Sequence, residues 1–107
     1  MSIYKNTLLE DLNRIRSNIS IYRQRIFEYP QGSLMTRNIN GRDYIYLKYR
    51  KDRKVIQEYV SPFSQNIYNE LKSKIDQRKI LQNELKSLIA EERDMVKALK
   101  ALGEKNV

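Results

Sequence analysis

The segment from Ile39 to Lys54 concentrates two kinds of side chain, cations and tyrosine rings, that together could hold a nucleic acid. Cations neutralise phosphates, and aromatic rings stack on bases. Its basic residues, with one that precedes it, are Arg37, Arg42, Lys48, Arg50, Lys51, Arg53 and Lys54, and its tyrosines are Tyr44, Tyr46 and Tyr49. Residues 33–61 carry seven basic and three acidic groups, a net +4 out of the chain's +8. This concentration of charge favours an anionic partner.

The composition also argues against most enzyme chemistry. The chain has no cysteine and no histidine, and therefore lacks the thiol nucleophile, the commonest general base and the soft metal ligands. Its three glycines are far apart, so no glycine-rich loop can cradle a phosphate. No apolar run reaches the roughly 20 residues of a membrane span, and the N-terminus lacks a signal-peptide core. We predict a non-enzymatic cytoplasmic protein without cofactor, metal or membrane contact.

Heptad spacing of apolar residues predicts a first helix over residues 2–29. Thr7 and Glu10 match a capping box, Ser2 is an earlier alternative start, and Pro30 ends the helix. The stripe consists of Leu8, Leu12, Ile15, Ile19, Tyr22, Ile26 and Tyr29.

We predict a three-stranded antiparallel meander for the middle of the chain, residues 33–60. Asn40-Gly41 is the strongest short hairpin signal, because both residues accept positive φ. The second connection is either a two-residue turn at Asp52-Arg53 or a three-residue loop that includes Lys51. The longer loop would move Tyr59 to the other face of the sheet.

A second helix is predicted over residues 62–102. Ser61 would cap it, Pro62 would occupy its first position, and Gly103 would end it. Arg78, Gln82 and Glu92 interrupt its apolar stripe, either as register-setting polar positions or because the stripe shifts there.

These elements predict one α+β domain over residues 1–107, in which two long antiparallel coiled-coil-like helices flank the meander. Since the second helix is the longer one, its distal part would overhang the first and leave an apolar seam uncovered. The uncovered seam predicts a homodimer through Leu85, Leu88, Ile89, Val96 and Leu99.

Strand alternation divides the sheet into an aliphatic face, assigned to the helices, and a tyrosine-bearing face. Nucleic-acid contact, protein contact and simple solvation remain three explanations of the second face. Under the first, Tyr44, Tyr46 and Tyr59 stack on bases or sugars while Arg37, Lys48 and Arg50 bind phosphates, with Arg53 and Lys54 beside them. Such a protein would bind DNA or RNA with little sequence preference.

The stretch PQGSLMTRNINGRDYIYLKYRKDRKVIQEYV, followed by a charged helix, resembles small uncharacterised bacterial and mobile-element proteins. The resemblance covers Pro30 to Leu85 and rests on Gly32-Ser33-Leu34, Gly41, Tyr44, Tyr46-Leu47 and Tyr49-Arg50. It implies the helix–meander–helix order and no established activity. It also suggests an alternative function, that of a phage or mobile-element inhibitor or adaptor of the anti-CRISPR type, which would bind a host protein or a nucleoprotein complex.

Overall fold

The computed structural model describes residues 3–107, which form two helices and, between them in the chain, a three-stranded antiparallel sheet. In chain order the elements are α1 (Ile3–Phe27), β1 (Ser33–Ile39), β2 (Arg42–Lys51), β3 (Lys54–Pro62) and α2 (Gln65–Ala101). The α+β class and the order of the elements are therefore confirmed. The chain divides into a sheet unit, Glu28–Lys79, and a helical unit, in which α1 is grouped with Ile80–Val107.

The start of α1 differs from the capping box at Thr7. The helix already includes Ile3, and the Thr7 hydroxyl donates a hydrogen bond to the Ile3 carbonyl oxygen one turn back, at 3.0 Å. Thr7 is thus an interior residue whose side chain binds the backbone of its own helix. The alternative start at Ser2 lies outside the described residues. The helix ends at Phe27, three residues before Pro30.

Both hairpin turns have two central residues. Asn40 and Gly41 have φ of 54° and 82°, and Ile39 pairs with Arg42 across them. Positive φ at both positions is the requirement of a type I′ turn, whose twist matches that of the strands. Asp52 and Arg53 also have positive φ, 52° and 65°, and Lys51 pairs with Lys54. The two-residue alternative for the second connection is therefore correct.

The predicted start of α2 at Pro62 is wrong, because β3 continues through that residue. Pro62 pairs with Tyr44, and the next amide, that of Phe63, donates to the Asp43 carbonyl oxygen at 2.9 Å. Proline is tolerated there because β3 is an edge strand that ends at this residue. Ser64 caps α2 instead, with its carbonyl oxygen accepting from the Tyr68 amide at 2.9 Å.

Within the helical unit, α1 runs antiparallel to the distal part of α2. Arg16 forms an ion pair with Glu92 at 3.1 Å, Lys5 pairs with Glu104 at 3.2 Å, and Tyr22 hydrogen-bonds Glu84. Partner numbers rise as the α1 numbers fall, which defines the antiparallel direction. The buried apolar side chains of this unit are Leu12, Ile15, Ile19, Leu81 and Leu99. A supercoil between the helices stays a prediction.

The predicted overhang is wrong, because α1 lies beside the part of α2 that was expected to project. Leu99 is completely buried, and Leu85, Leu88, Ile89 and Val96 are half-buried. The predicted overhang assumed that the end of α1 lies beside the start of α2. Residues 65–79 belong instead to the sheet unit. The homodimer through these residues stays a prediction, but the overhanging seam that supported it is absent from the described residues.

Helix α2 ends at Ala101, two residues before the predicted stop at Gly103. Gly103 has φ of +94°, its amide donates to the Lys100 carbonyl oxygen, and the Glu104 amide donates to that of Leu99. These bonds satisfy carbonyls that a helix end would otherwise leave unpaired. Neither described helix is both long enough and apolar enough to cross a membrane.

Candidate nucleic-acid interface

Strand pairing assembles the predicted tyrosine-bearing surface, here called the tyrosine face. Tyr46 pairs with Met35 on one side and with Tyr59 on the other, so all three side chains project to the same side. By the same alternation the face consists of Ser33, Met35, Arg37, Ile39, Arg42, Tyr44, Tyr46, Lys48, Arg50, Val55, Gln57, Tyr59 and, beyond an irregularity in β3, Pro62. Six of the eight residues that the sequence predicted to contact nucleic acid lie on it, namely Arg37, Tyr44, Tyr46, Lys48, Arg50 and Tyr59.

The opposite surface, here called the covered face, contains the sheet's buried side chain. Ile45 is completely buried, in contrast to Tyr59, which is 52% exposed. The face consists of Leu34, Thr36, Asn38, Asp43, Ile45, Leu47, Tyr49, Lys51, Lys54, Ile56 and Glu58. The register shifts between Ile45 and Tyr46, so that Val60 has no cross-strand partner and forms a β-bulge. After the bulge, Pro62 pairs with Tyr44.

The two faces differ in their charges. The tyrosine face has four cations, Arg37, Arg42, Lys48 and Arg50, and no carboxylate. The covered face has two cations and two carboxylates, which come from Lys51, Lys54, Asp43 and Glu58. All four cations of the tyrosine face are exposed, and none forms an ion pair within residues 3–107. They are thus available to an external anion.

Three rings pack together at the centre of the tyrosine face. The Tyr59 centroid lies 5.7 Å from that of Tyr46 at an interplanar angle of 72°, and 6.1 Å from that of Tyr44 at 56°. The Tyr46–Tyr59 contact is edge-to-face, an arrangement that stabilises aromatic pairs beyond the area they bury, and the Tyr44–Tyr59 contact is tilted. Tyr44 and Tyr46 are half-buried, and Tyr59 is the most exposed ring of the three.

Arg37 extends across the sheet above the Tyr46 ring. Its guanidinium carbon lies 5.3 Å from the Tyr46 centroid, and its Nη1 donates to Gln57 Oε1 at 3.1 Å. The side chain therefore reaches from β1 over β2 to β3. A cation over a ring is attracted by the ring's negative face. Arg37 consequently occupies one side of the Tyr46 ring, which was predicted to stack on a base or a sugar.

A close backbone contact fixes the end of β2 that carries Lys48. Gly32 has φ of +88°, and a Cβ at this position would collide with the Lys48 carbonyl oxygen. The Gly32 carbonyl oxygen accepts a hydrogen bond from Arg78 Nη2 at 2.9 Å, while Arg78 Nη1 donates to the Pro30 carbonyl oxygen. Arg78 is 6% exposed, and its Nε finds no hydrogen-bond partner among the residues that the structure describes. Arg78, which interrupts the apolar stripe of α2, thus holds the segment that leads into β1 by two hydrogen bonds. These two bonds are here called the clamp.

Two predicted contact residues lie apart from the others. Lys54 pairs with Lys51 and projects from the covered face, and Arg53 belongs to the turn. The structure instead adds Arg42, which pairs with Ile39 on the tyrosine face. The Asn40-Gly41 turn was a sufficient signal for that assignment, because it fixes this pair and hence the side to which Arg42 projects.

On the covered face, Tyr49 is linked to Glu58. A hydrogen bond to the Glu58 carboxylate raises the pKa of Tyr49 above its ordinary value of 10.0, with burial and the charge of Glu58 adding to the shift. The carboxylate favours the protonated phenol, which donates to it. Tyr49 is therefore engaged within the sheet unit.

No group of three acidic or other ligating residues within residues 3–107 could hold a metal ion. Comparison with protein families, curated proteins and solved structures finds no match to this chain.

Proposed function

We propose that this protein binds nucleic acid through the tyrosine face, mainly by contacts to the sugar-phosphate backbone. The observation that carries the proposal is the separation of charge between the two faces of one sheet. Four exposed cations without a carboxylate project from the tyrosine face, while the sheet's two strand carboxylates project from the other. A surface of this kind attracts a polyanion.

The rings between the cations favour nucleic acid over other polyanions. Tyr44 and Tyr46 stand between Arg42 and Lys48 along β2, so cations lie on both sides of an aromatic centre. Phosphates would meet the cations, while sugars or bases would meet the rings. The contacts would carry little sequence information, because backbone contacts position a nucleic acid without reading it.

Fluorescence anisotropy tests this function with labelled single-stranded DNA, duplex DNA and RNA of equal length. Sequence-independent binding predicts dissociation constants of about 10⁻⁴–10⁻⁶ M at physiological salt. If all four cations neutralise phosphates, the logarithm of the association constant should fall with the logarithm of salt concentration with a slope of about −3. Absence of binding to all three polymers at low salt would refute the proposal and leave protein contact or simple solvation as the explanation of the tyrosine face.

A further inference from the structure

We infer, on the basis of the proposed function, that the nucleic acid is single-stranded and that one of its bases stacks on Tyr59. Among the three clustered rings, Tyr59 has the largest exposure, 52%. Its interplanar angles with Tyr46 and Tyr44 are 72° and 56°, so neither neighbour is stacked parallel on it. The two neighbours fix the position of the ring without occupying it in the way a base would.

Tyr46 is a poorer acceptor for a base, because Arg37 lies over its ring and is held there by Gln57. A base could reach that side only by displacing the cation–π contact and the hydrogen bond. Arg37 has a different use in its present place. Its guanidinium remains exposed above Tyr46, the ring next to Tyr59, and can bind a phosphate beside the stacked base.

The remaining cations suit a strand that runs along β2. Arg42 and Arg50 lie eight residues apart on this strand, a distance of about 27 Å. Tyr44, Tyr46 and Lys48 follow one another between them on the same face. A nucleic acid along this line would meet cations before and after the aromatic centre.

Stacking on Tyr59 requires a base whose flat surface is free. In a duplex, each base is covered by its neighbours, and a protein meets only groove edges and the backbone. An unpaired base can turn out of the strand and stack on an aromatic side chain. The exposed ring therefore favours single strands over duplexes, while the cations alone would bind both.

The first test leaves the protein unchanged and alters the ligand. Anisotropy would compare a labelled single strand of thymidines with an oligomer of equal length that carries abasic sites in place of most bases. Both present the same phosphates, but only the first can stack. Loss of one stacked base predicts weaker binding by about 5- to 150-fold for the abasic strand. Equal affinity for the two strands would overturn the inference.

The second test alters the ring. Tyr59→Leu keeps an apolar side chain but removes the aromatic surface, and should weaken single-strand binding by the same factor of about 5 to 150. The salt slope should not change, since no phosphate contact is lost. Tyr59→Phe should bind as the wild type does. The matched control is Tyr4→Leu, which makes the same substitution at a ring that is 80% exposed on α1 and should leave binding unchanged.

The outcomes separate this inference from the proposed function. Binding that is equal for single strands and duplexes, with no effect of Tyr59→Leu, would retain nucleic-acid binding and reject the stacked base. No binding to any polymer would reject both. Circular dichroism would establish that Tyr59→Leu is folded, and if it is not, the abasic comparison decides the question with the wild-type protein alone.

Discussion

The two faces of the sheet use the same three strands for different purposes. On the covered face, Ile45 is completely buried and Tyr49 is bound to Glu58. On the tyrosine face, Tyr59 is half exposed and four cations have no carboxylate partner within the described residues. Since neighbouring residues alternate between the faces, stability and binding can be assigned to different side chains of one strand. Substitutions only a few positions apart in one strand should therefore affect either stability or binding, depending on the face to which the side chain projects.

The largest expected effect is on folding and comes from the covered face. Ile45→Ala should lower the free energy of unfolding by about 2–5 kcal/mol, because it leaves a cavity at a completely buried position. Lys48→Ala, three residues along the same strand and exposed on the tyrosine face, should change it by less than about 0.5 kcal/mol. Urea denaturation followed by circular dichroism measures both. Similar losses for the two variants would contradict the division between the faces.

A smaller loss of stability is expected at the clamp that precedes β1. Arg78→Met removes hydrogen bonds to the carbonyl oxygens of Pro30 and Gly32, and should cost about 1–3 kcal/mol. Lys79→Met is the matched control, because it makes the same kind of change at the next, exposed residue and should be nearly neutral.

A binding measurement tests whether Arg78 has a structural role or contacts phosphate. A folded Arg78→Met variant should keep the wild-type salt slope, since the buried guanidinium cannot reach a phosphate. A salt slope reduced by one contact would show that Arg78 is a ligand for phosphate and would contradict its structural role.

The smallest effect concerns pH and the Tyr49–Glu58 contact. Because the folded-state pKa of Tyr49 is raised, its stabilising contribution is complete below the unfolded pKa of about 10 and is lost as pH rises through the folded value. Ultraviolet absorbance of tyrosinate should show a phenol that titrates above the ordinary range. In Tyr49→Phe this high-pH phenol should be missing from the titration, although Tyr22, whose pKa Glu84 also raises, should still titrate late. An unchanged high-pH titration in Tyr49→Phe would contradict the contact.

The pairing of β1 with β2 could be predicted because a local signal determines it: the Asn40-Gly41 turn fixes the register, and alternation then places each side chain. The sequence left two registers open for β3, because the second turn, Asp52-Arg53, contains no glycine that would mark it as a two-residue turn. The bulge opposite Ile45 and the continuation of β3 to Pro62 could not be predicted, since they depend on tertiary pairing with β2. The site was predictable to the level of the face, but the reach of Arg37 over Tyr46 to Gln57 depends on rotamers that periodicity does not determine.

The alignment of the helices was predicted incorrectly for a related reason. Heptad patterns determine which sides of α1 and α2 are apolar, but not which turns of the two helices lie beside each other. The ion pair of Arg16 with Glu92 shows which turns lie side by side, and it joins residues 76 positions apart. No local signal in either helix specifies such a pair.

Two charge reversals test most directly whether the tyrosine face, and not positive charge in general, binds nucleic acid. Lys48→Glu and Lys54→Glu make the same change of charge at exposed lysines on opposite faces of the sheet. Single-strand anisotropy at one fixed salt concentration would compare them with the wild type. We expect Lys48→Glu to weaken binding by about 10-fold or more, because one phosphate contact is lost and the strand is repelled, and Lys54→Glu to weaken it by less than about threefold. Equal weakening by the two variants, or a stronger effect of Lys54→Glu, would contradict this expectation.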